Sequence, residues 1–446
     1  MNRRQVTGIA IACMILAFCC SPWFHNWVDF PQQLRLMAGM PYQLDLPLPI
    51  GLSVTVDRPG LVVNDLELQP NQPRVERGSC ALLSAEPGNM TVQFKLFGLL
   101  PLRHLTVEVV PPVQVVPSGQ SIGVTIQATT MVVGNTTVKA DNGSLQPAKD
   151  AGLKLGDLIL SVNDRNEPSV TVVAEEIEKS GKNGIPVHFL IQRGQEQERI
   201  DVQPVHCQDS HRWRIGLYVR DEAAGVGTMT FVDRESKTFG ALGHIIADID
   251  TNQALQVKDG RILRSKVTAI DQGRSGHPGE KRSIIVDEKT LIGRFTSNTG
   301  IGIFGDLLED ITGSSQPLPV ALVDQVHPGK AEILTVIEGE KVERFEIEIV
   351  RVSRQFSPTG KGMVIKVTDP RLLEKTGGIV QGMSGSPIIQ DGKLAGAVTH
   401  VFVNKPDSGY GVFAEWMVRE SGMLEKREQS APTFFYRRYL RNSAGI

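Results

Sequence analysis

Cysteine is scarce in this chain, with five in 446 residues. Cys13, Cys19 and Cys20 lie in one apolar stretch, which leaves Cys80 and Cys207 for the body. Such a count excludes a disulfide framework and a zinc cluster. A single Cys80–Cys207 bond fits an exported protein; two isolated buried thiols are the plainer expectation. No His-Glu-x-x-His occurs, so a metal-dependent hydrolase is set aside, and neither metal nor cofactor is expected. Charge of one sign is also missing. Lys and Arg number 47 against 49 Asp and Glu, a net charge of -2, which gives no electrostatic case for a nucleic-acid partner. Aromatics make up only 6% while glycines number 44. That balance favours many turns and short strands over long helices.

The one long apolar run is at the start. Arg3 and Arg4 precede Val6 to Cys20, and Ser21-Pro22 follows. A positive start and about 15 apolar residues predict a signal peptide or membrane anchor over 1–26. No small-residue cleavage site stands out, which favours an uncleaved anchor. This run puts the body of the chain across the cytoplasmic membrane, secreted or anchored.

The rest reads as mainly β. Residues 27–114 form a small β-rich domain, with strand patterns at Leu61-Val62-Val63, Thr91 to Leu96 and Leu105 to Val109. Pro111-Pro112 and Pro117-Ser118-Gly119 mark a junction. Residues 115–205 resemble a PDZ domain. Gly156-Asp157-Leu158-Ile159-Leu160-Ser161-Val162-Asn163 carries the likeness, with an amphipathic helix at 171–179 and a buried strand at 187–191. Such a domain binds an extended peptide by adding it to an open sheet edge. The loop entering the strand, with Ser121, Ile122, Gly123 and Val124, is the expected peptide-binding site. Residues 212–425 carry short strands at turn-punctuated spacing and predict a β-barrel or a pair of barrels. Residues 426–446 are a basic, aromatic tail.

Chemistry concentrates in Gly382-Met383-Ser384-Gly385-Ser386-Pro387. A serine hydroxyl needs a base, a group that orients the base, and donors for the oxyanion. Flanking glycines expose the Ser384 hydroxyl and free the backbone N–H groups of Gly382 and Ser384 to form an oxyanion hole. A Gly-x-Ser-Gly-x-Pro loop feeding a strand is the arrangement of chymotrypsin-like peptidases. His244, in Gly243-His244-Ile245-Ile246-Ala247-Asp248, has the chain order of a general base for that class. His400, just after the serine strand, is the rival, or a cleft-lining residue. Met383 beside the serine cannot pair with a newly cut N-terminus, so control must come from elsewhere. Substrate-pocket walls are expected near 378–381 and 399–403, which are not charged. A strong preference for a charged side chain is therefore not expected.

Three stretches carry a family resemblance: Gly243 to Thr251, Gly378 to Gln390, and Ala397 to Val403. With the order anchor, β segment, PDZ and peptidase, the chain resembles the stage IV sporulation protein B family of serine peptidases. The resemblance implies the catalytic set His244, Asp369 and Ser384. Spacing alone points instead to Asp287 as the orienting acid, and Asp250 is a third candidate. The resemblance also implies action between the two membranes of a developing endospore. There the enzyme would cut a membrane-bound regulator of a membrane-embedded protease and switch on late transcription, and it would also cleave itself. Its partners would be protein substrates, peptide tails held by the PDZ unit, and the membrane through the N-terminal segment. The competing expectation is an anchored PDZ scaffold with an inactive peptidase-like domain.

Overall fold

Valine, isoleucine and threonine alternate with polar residues along much of this chain, and the strands form where they do. In Val342–Val352, Phe345, Ile347 and Ile349 point inward while Glu346 and Glu348 face out. A computed structural model describes residues 30, 32–46, 51–141, 143–287, 290–353, 355 and 357–430. The expected anchor at 1–26 lies outside the described residues, as do residues 431–446 of the tail. Among the described residues no helix is long and apolar enough to cross a membrane.

The chain divides at Gln114 and Val115 into two units. In the first unit a five-stranded and a four-stranded sheet share one core, built from Leu34, Leu52, Val54, Leu82, Phe94, Leu105 and their neighbours. Cys80 is buried in that core.

The second unit contains two closed six-stranded barrels. The first uses β1 (Ser121–Asn135), β5 (Leu217–Asp233), β6 (Thr238–Ala241), β7 (Val257–Asp271), β9 (Leu291–Thr299) and β10 (Gly302–Leu307). Pairing runs β1-β7-β9-β10-β6-β5 and closes from β5 back to β1. A further strand, β8 (Glu280–Ile285), pairs with β7. The second barrel is β11 (Gly329–Val336), β12 (Val342–Val352), β13 (Met363–Val367), β16 (Lys405–Phe413), β15 (Lys393–Phe402) and β14 (Pro387–Gln390), in that order. Asp391 and Gly392, both at positive φ, make the two-residue turn that joins β14 to β15.

The PDZ-like unit is an insertion within the first barrel. Strands β1 and β5 run on past the barrel and stay paired there, Met131 with Arg220 and Val132 with Val219. Between them lie β2 (Leu158–Val162), β3 (Val187–Arg193), β4 (Glu196–Val202) and helix α1 (Val170–Lys182). Ser169 caps α1 by accepting from the Val172 N–H, and Lys179 and Lys182 sit at the negative end of its dipole. Val173 and Ile177 turn its apolar face onto Ile159, Val162, Phe189 and Ile191. The segments 115–205 and 212–425, expected as separate domains, therefore share two strands.

This arrangement corrects the expected peptide-binding loop. Ser121, Ile122, Gly123 and Val124 are buried in the first barrel, with β5 on one side and β7 on the other. A strand paired on both edges has no main-chain groups left for a ligand.

Candidate active site

Ser384 sits where the two barrels meet. Its loop follows helix α2 (Pro370–Thr376) and enters β14. Gly382 and Gly385 have φ of +90° and +94°. A Cβ on Gly385 would lie 2.0 Å from the Thr228 carbonyl oxygen and 2.5 Å from the Leu242 nitrogen, so only glycine fits. Strand β5 holds the loop directly. The Thr228 hydroxyl donates to Gly382 O at 2.8 Å, the Thr230 hydroxyl to Gly385 O at 2.8 Å, and the Thr228 N–H to Ser384 O at 2.9 Å. The Met383 N–H donates to Val380 O within the loop, and the Gly385 N–H donates to Val398 O on β15. The N–H groups of Gly382 and Ser384 take no partner among the described residues. These are the two donors expected to form the oxyanion hole. The Ser384 hydroxyl donates to Thr399 O at 2.8 Å.

His244 comes from the first barrel, just after β6. Leu242 and Gly243 before it have φ of +67° and +70°, a tight turn with strain at a non-glycine residue. Nδ1 lies 2.7 Å from Ile245 O. A carbonyl can only accept, so Nδ1 carries the proton and Nε2 is free to act as a base. Burial pushes the His244 pKa down, partly opposed by that hydrogen bond, which keeps the ring neutral. The ring of His400 is 5.0 Å away, centroid to centroid. Its pKa is pushed down to about 4 by desolvation and by the neighbouring His244 and Lys361. His400 thus lines the cleft beside the base as a neutral ring.

The acid expected from the family resemblance is not brought to this site. Asp369 is the N-cap of α2, accepting from the Arg371 N–H at 2.9 Å, with Pro370 at the first helical position. The Arg371 guanidinium grips both of its oxygens, at 3.1 and 2.7 Å, and the Glu346 N–H adds a fourth hydrogen bond at 3.3 Å. The arginine, chiefly, holds its carboxyl below the usual range. No contact joins Asp369 to His244 among the described residues. Among the described residues, neither alternative contacts His244. Asp287 is exposed and accepts from the Thr290 hydroxyl. Asp250 is exposed and pairs with Arg220, which also holds buried Asp248.

Three elements were not foreseen. Asn298 on β9 clamps the histidine loop: Oδ1 accepts from the Ile246 N–H at 2.8 Å, and Nδ2 donates to Ile246 O at 2.8 Å and Leu255 O at 3.0 Å. Lys281 on β8 is wholly buried beneath the serine loop, and its stem lies against Gly382. Its Nζ bonds the Thr335 hydroxyl at 2.8 Å, which the Ser386 hydroxyl also reaches at 3.0 Å. Burial without a carboxylate partner pushes the amine down to about 7. The third is the loop 214–217. It repeats the apolar-Gly-apolar pattern of Ile122-Gly123-Val124, a signal the sequence did hold.

Residues 211–418 match the family model described as SpoIVB peptidase S55, and residues 121–203 match a PDZ domain. Solved structures similar in part include the Rv3671c protease from M. tuberculosis in its active form. It is 14% identical over 47% of this chain and 77% of that one, with a TM-score of 0.27. The HtrA-type protease AlgW with a decapeptide is 13% identical over 47% of this chain and 54% of that one, at 0.26. No curated protein sequence matches the chain significantly. With both domains in their matched order, and the serine loop and the histidine meeting between two barrels, the chain belongs to the SpoIVB-type family of PDZ-containing serine peptidases.

Proposed function

We propose that this peptidase is exported and anchored by its N-terminal apolar run. It acts between the two membranes of a developing endospore. Its substrate is a membrane-bound regulator of a membrane-embedded protease, whose release starts late transcription, and it also cuts itself before the PDZ unit. The PDZ unit holds peptide tails of these partners.

The observation that carries catalysis is the pair of N–H groups on Gly382 and Ser384, unpartnered among the described residues, in a loop packed on Leu242, two residues before a histidine whose Nε2 carries no proton. On substrate entry the Ser384 hydroxyl leaves Thr399 O, its proton passes to His244 Nε2, and Oγ attacks the scissile carbonyl. The developing oxyanion accepts from the two N–H groups. His244 then gives its proton to the leaving amine, and water repeats the sequence on the acyl-enzyme. Ile245 O takes the orienting role, so the catalytic set is a serine–histidine pair with a backbone acceptor.

The resting hydrogen bond from Ser384 to Thr399, with no carboxylate on His244 among the described residues, gives the scaffold reading its support. Hydrolysis of a mixed peptide library by wild type and by Ser384→Ala separates the two. We expect cleavage by wild type and a loss of at least about 10⁴-fold in the variant. A wild-type protein that cleaves nothing, and whose Ser384 takes no fluorophosphonate label, would establish the scaffold.

A further inference from the structure

One hairpin of the first unit ends in side chains that water ordinarily rejects. Its strands, Gly88–Leu96 and Leu100–Val110, pair antiparallel down to Leu96 opposite Leu100. At the turn Phe97 and Gly98 have φ of +53° and +72°, and the Leu99 N–H donates to Leu96 O at 3.1 Å. Two positive φ values in succession call for Asn-Gly or Asp-Gly, whose polar side chains suit water. Phenylalanine bears strain at the first position without burying its ring. Phe97 is 77% exposed, Leu99 84% and Leu100 59%. Neither the turn geometry nor the core of the unit accounts for these three side chains. A cluster of this kind marks a surface that meets something apolar.

The chain enters the unit at the same end. Strand Gln33–Met37 runs parallel to Leu100–Val110, with Gln33 opposite Thr106 and Met37 opposite Val110. Traced backward from Gln33, the chain therefore heads toward the turn. Phe30 agrees: its ring meets Phe94 edge-on, 5.2 Å between centroids, and Phe94 pairs with Arg103 close to the turn. From Phe94 to Phe97 is about 10 Å of strand. Residues 27–29 alone separate Phe30 from the apolar segment expected at 1–26, and that stretch reaches about 14 Å when fully extended. A membrane that holds 1–26 thus lies within about the distance that the turn itself projects. Charge fits the same surface. Between 90 and 107 the sequence has Lys95 and Arg103 and no Asp or Glu. Exposed Arg77 lies at this end of the sheet, beside Gly51, where the chain enters Leu52 opposite Leu96. Glu76 next to it is buried and paired with Arg74 at 2.6 Å. Apolar side chains at a tip with cations behind them match acyl chains beneath anionic headgroups.

We propose that the turn Phe97-Gly98-Leu99-Leu100 inserts into the surface of an anionic membrane, as a second lipid contact beside the N-terminal run. Phe97, Leu99 and Leu100 enter the acyl boundary while Lys95 and Arg77 stay at the phosphates. This rests on the reading of 1–26 as a membrane segment and goes beyond it, because two contacts fix which end of the first unit faces the lipid.

Full-length protein in vesicles of phosphatidylglycerol and phosphatidylcholine tests this directly. The vesicles carry a phospholipid with a diazirine on its acyl chain, and after illumination the adducts are located by mass spectrometry of the digested chain. Lipid adducts should appear on residues 96–102 as well as on the N-terminal run. Ile249 is as exposed as Leu99, at 84%, and serves as the control. The yield at 96–102 should exceed that at Ile249 by about tenfold or more. Phe97→Ser combined with Leu99→Ser should cut the 96–102 yield about tenfold and leave the N-terminal adducts in place. Both side chains are exposed, so far-UV circular dichroism of the double variant should match wild type. Three results would overturn the insertion and leave the anchor standing: N-terminal adducts with none at 96–102, an equal yield at Ile249, or a 96–102 yield that the double variant does not change. Adducts at 96–102 with none on the N-terminal run would keep the insertion and remove the anchor. Adducts at neither place would overturn both.

Discussion

The two sides of the catalytic cleft are held by different means. The serine side is backbone: glycines at positive φ, and carbonyls gripped by Thr228 and Thr230. The histidine side depends on side chains from elsewhere in the fold, with Asn298 clamping the loop and, among the described residues, no carboxylate on the ring. Backbone devices leave a local motif, because only glycine tolerates the conformations involved. Side-chain devices leave none, because an asparagine in a strand looks like any other. The difference implies that the serine side is brittle and the histidine side tunable.

The largest break should come on the serine side. Gly385→Ala forces a Cβ to 2.0 Å from the Thr228 carbonyl and 2.5 Å from the Leu242 nitrogen, in a conformation that alanine resists. The barrels must part locally to admit it. We expect a loss of stability above about 3 kcal/mol, read by denaturant unfolding, together with loss of hydrolysis. A stable, active Gly385→Ala protein would show that the loop is less constrained than its contacts imply.

Asn298 tests the other side at smaller cost. Asn298→Ala leaves the Ile246 N–H and two carbonyls without their partner while the chemical groups stay in place. The expected result is a fall in kcat of about 10- to 100-fold with little change in KM. His244 must be neutral to act, and burial lowers its pKa. The acid limb of kcat/KM should therefore lie below the ordinary histidine value near 6.5, with activity lost as pH falls through it. Loosening the loop hydrates the ring, raises its pKa and should shift that limb upward. Asn298→Asp sharpens the point, since aspartate can accept from Ile246 N–H but cannot donate to the carbonyls. It should be impaired like the alanine variant. An aspartate variant faster than wild type would mean that position 298 can supply the missing acid.

The same contrast explains what could be read in the sequence. The strand-rich character, the PDZ resemblance, Ser384, its two N–H donors and His244 rest on local patterns of glycine spacing and apolar alternation. Lys281 was invisible because a lysine in a strand ordinarily faces water, and its burial follows only from β8 meeting the serine loop. The insertion of the PDZ-like unit could not be seen either. Strand β1 serves the barrel at 121–127 and the inserted unit at 131–135 with the same β-branched, apolar character, and nothing local marks the handover. That is why Ile122-Gly123-Val124 reads in the sequence as a peptide-binding loop, although the fold pairs it on both edges.

Asp369 should show the smallest effect on chemistry, and it bears most directly on how the histidine is oriented. Val367-Thr368-Asp369-Pro370 has a plain structural reading: an N-cap followed by proline at the first helical position, with Gly377 closing the helix at φ of +71°. Asp369→Asn keeps a capping side chain but removes the charge that Arg371 grips at two oxygens. Arg371 is largely exposed, so solvent screens that ion pair, and about 1 kcal/mol or less should be lost. That loss appears only above the carboxyl's depressed pKa and vanishes as pH falls through it, because the protonated acid pairs no better than the amide. At neutral pH, kcat on folded protein should stay within about threefold of wild type. A fall in kcat of about 10³-fold or more with stability unchanged would mean that Asp369 reaches His244 in the working enzyme. The α2 segment would then have to leave Arg371 and re-form against the histidine when substrate binds. Far-UV circular dichroism and a thermal melt of the same variant separate that outcome from simple unfolding.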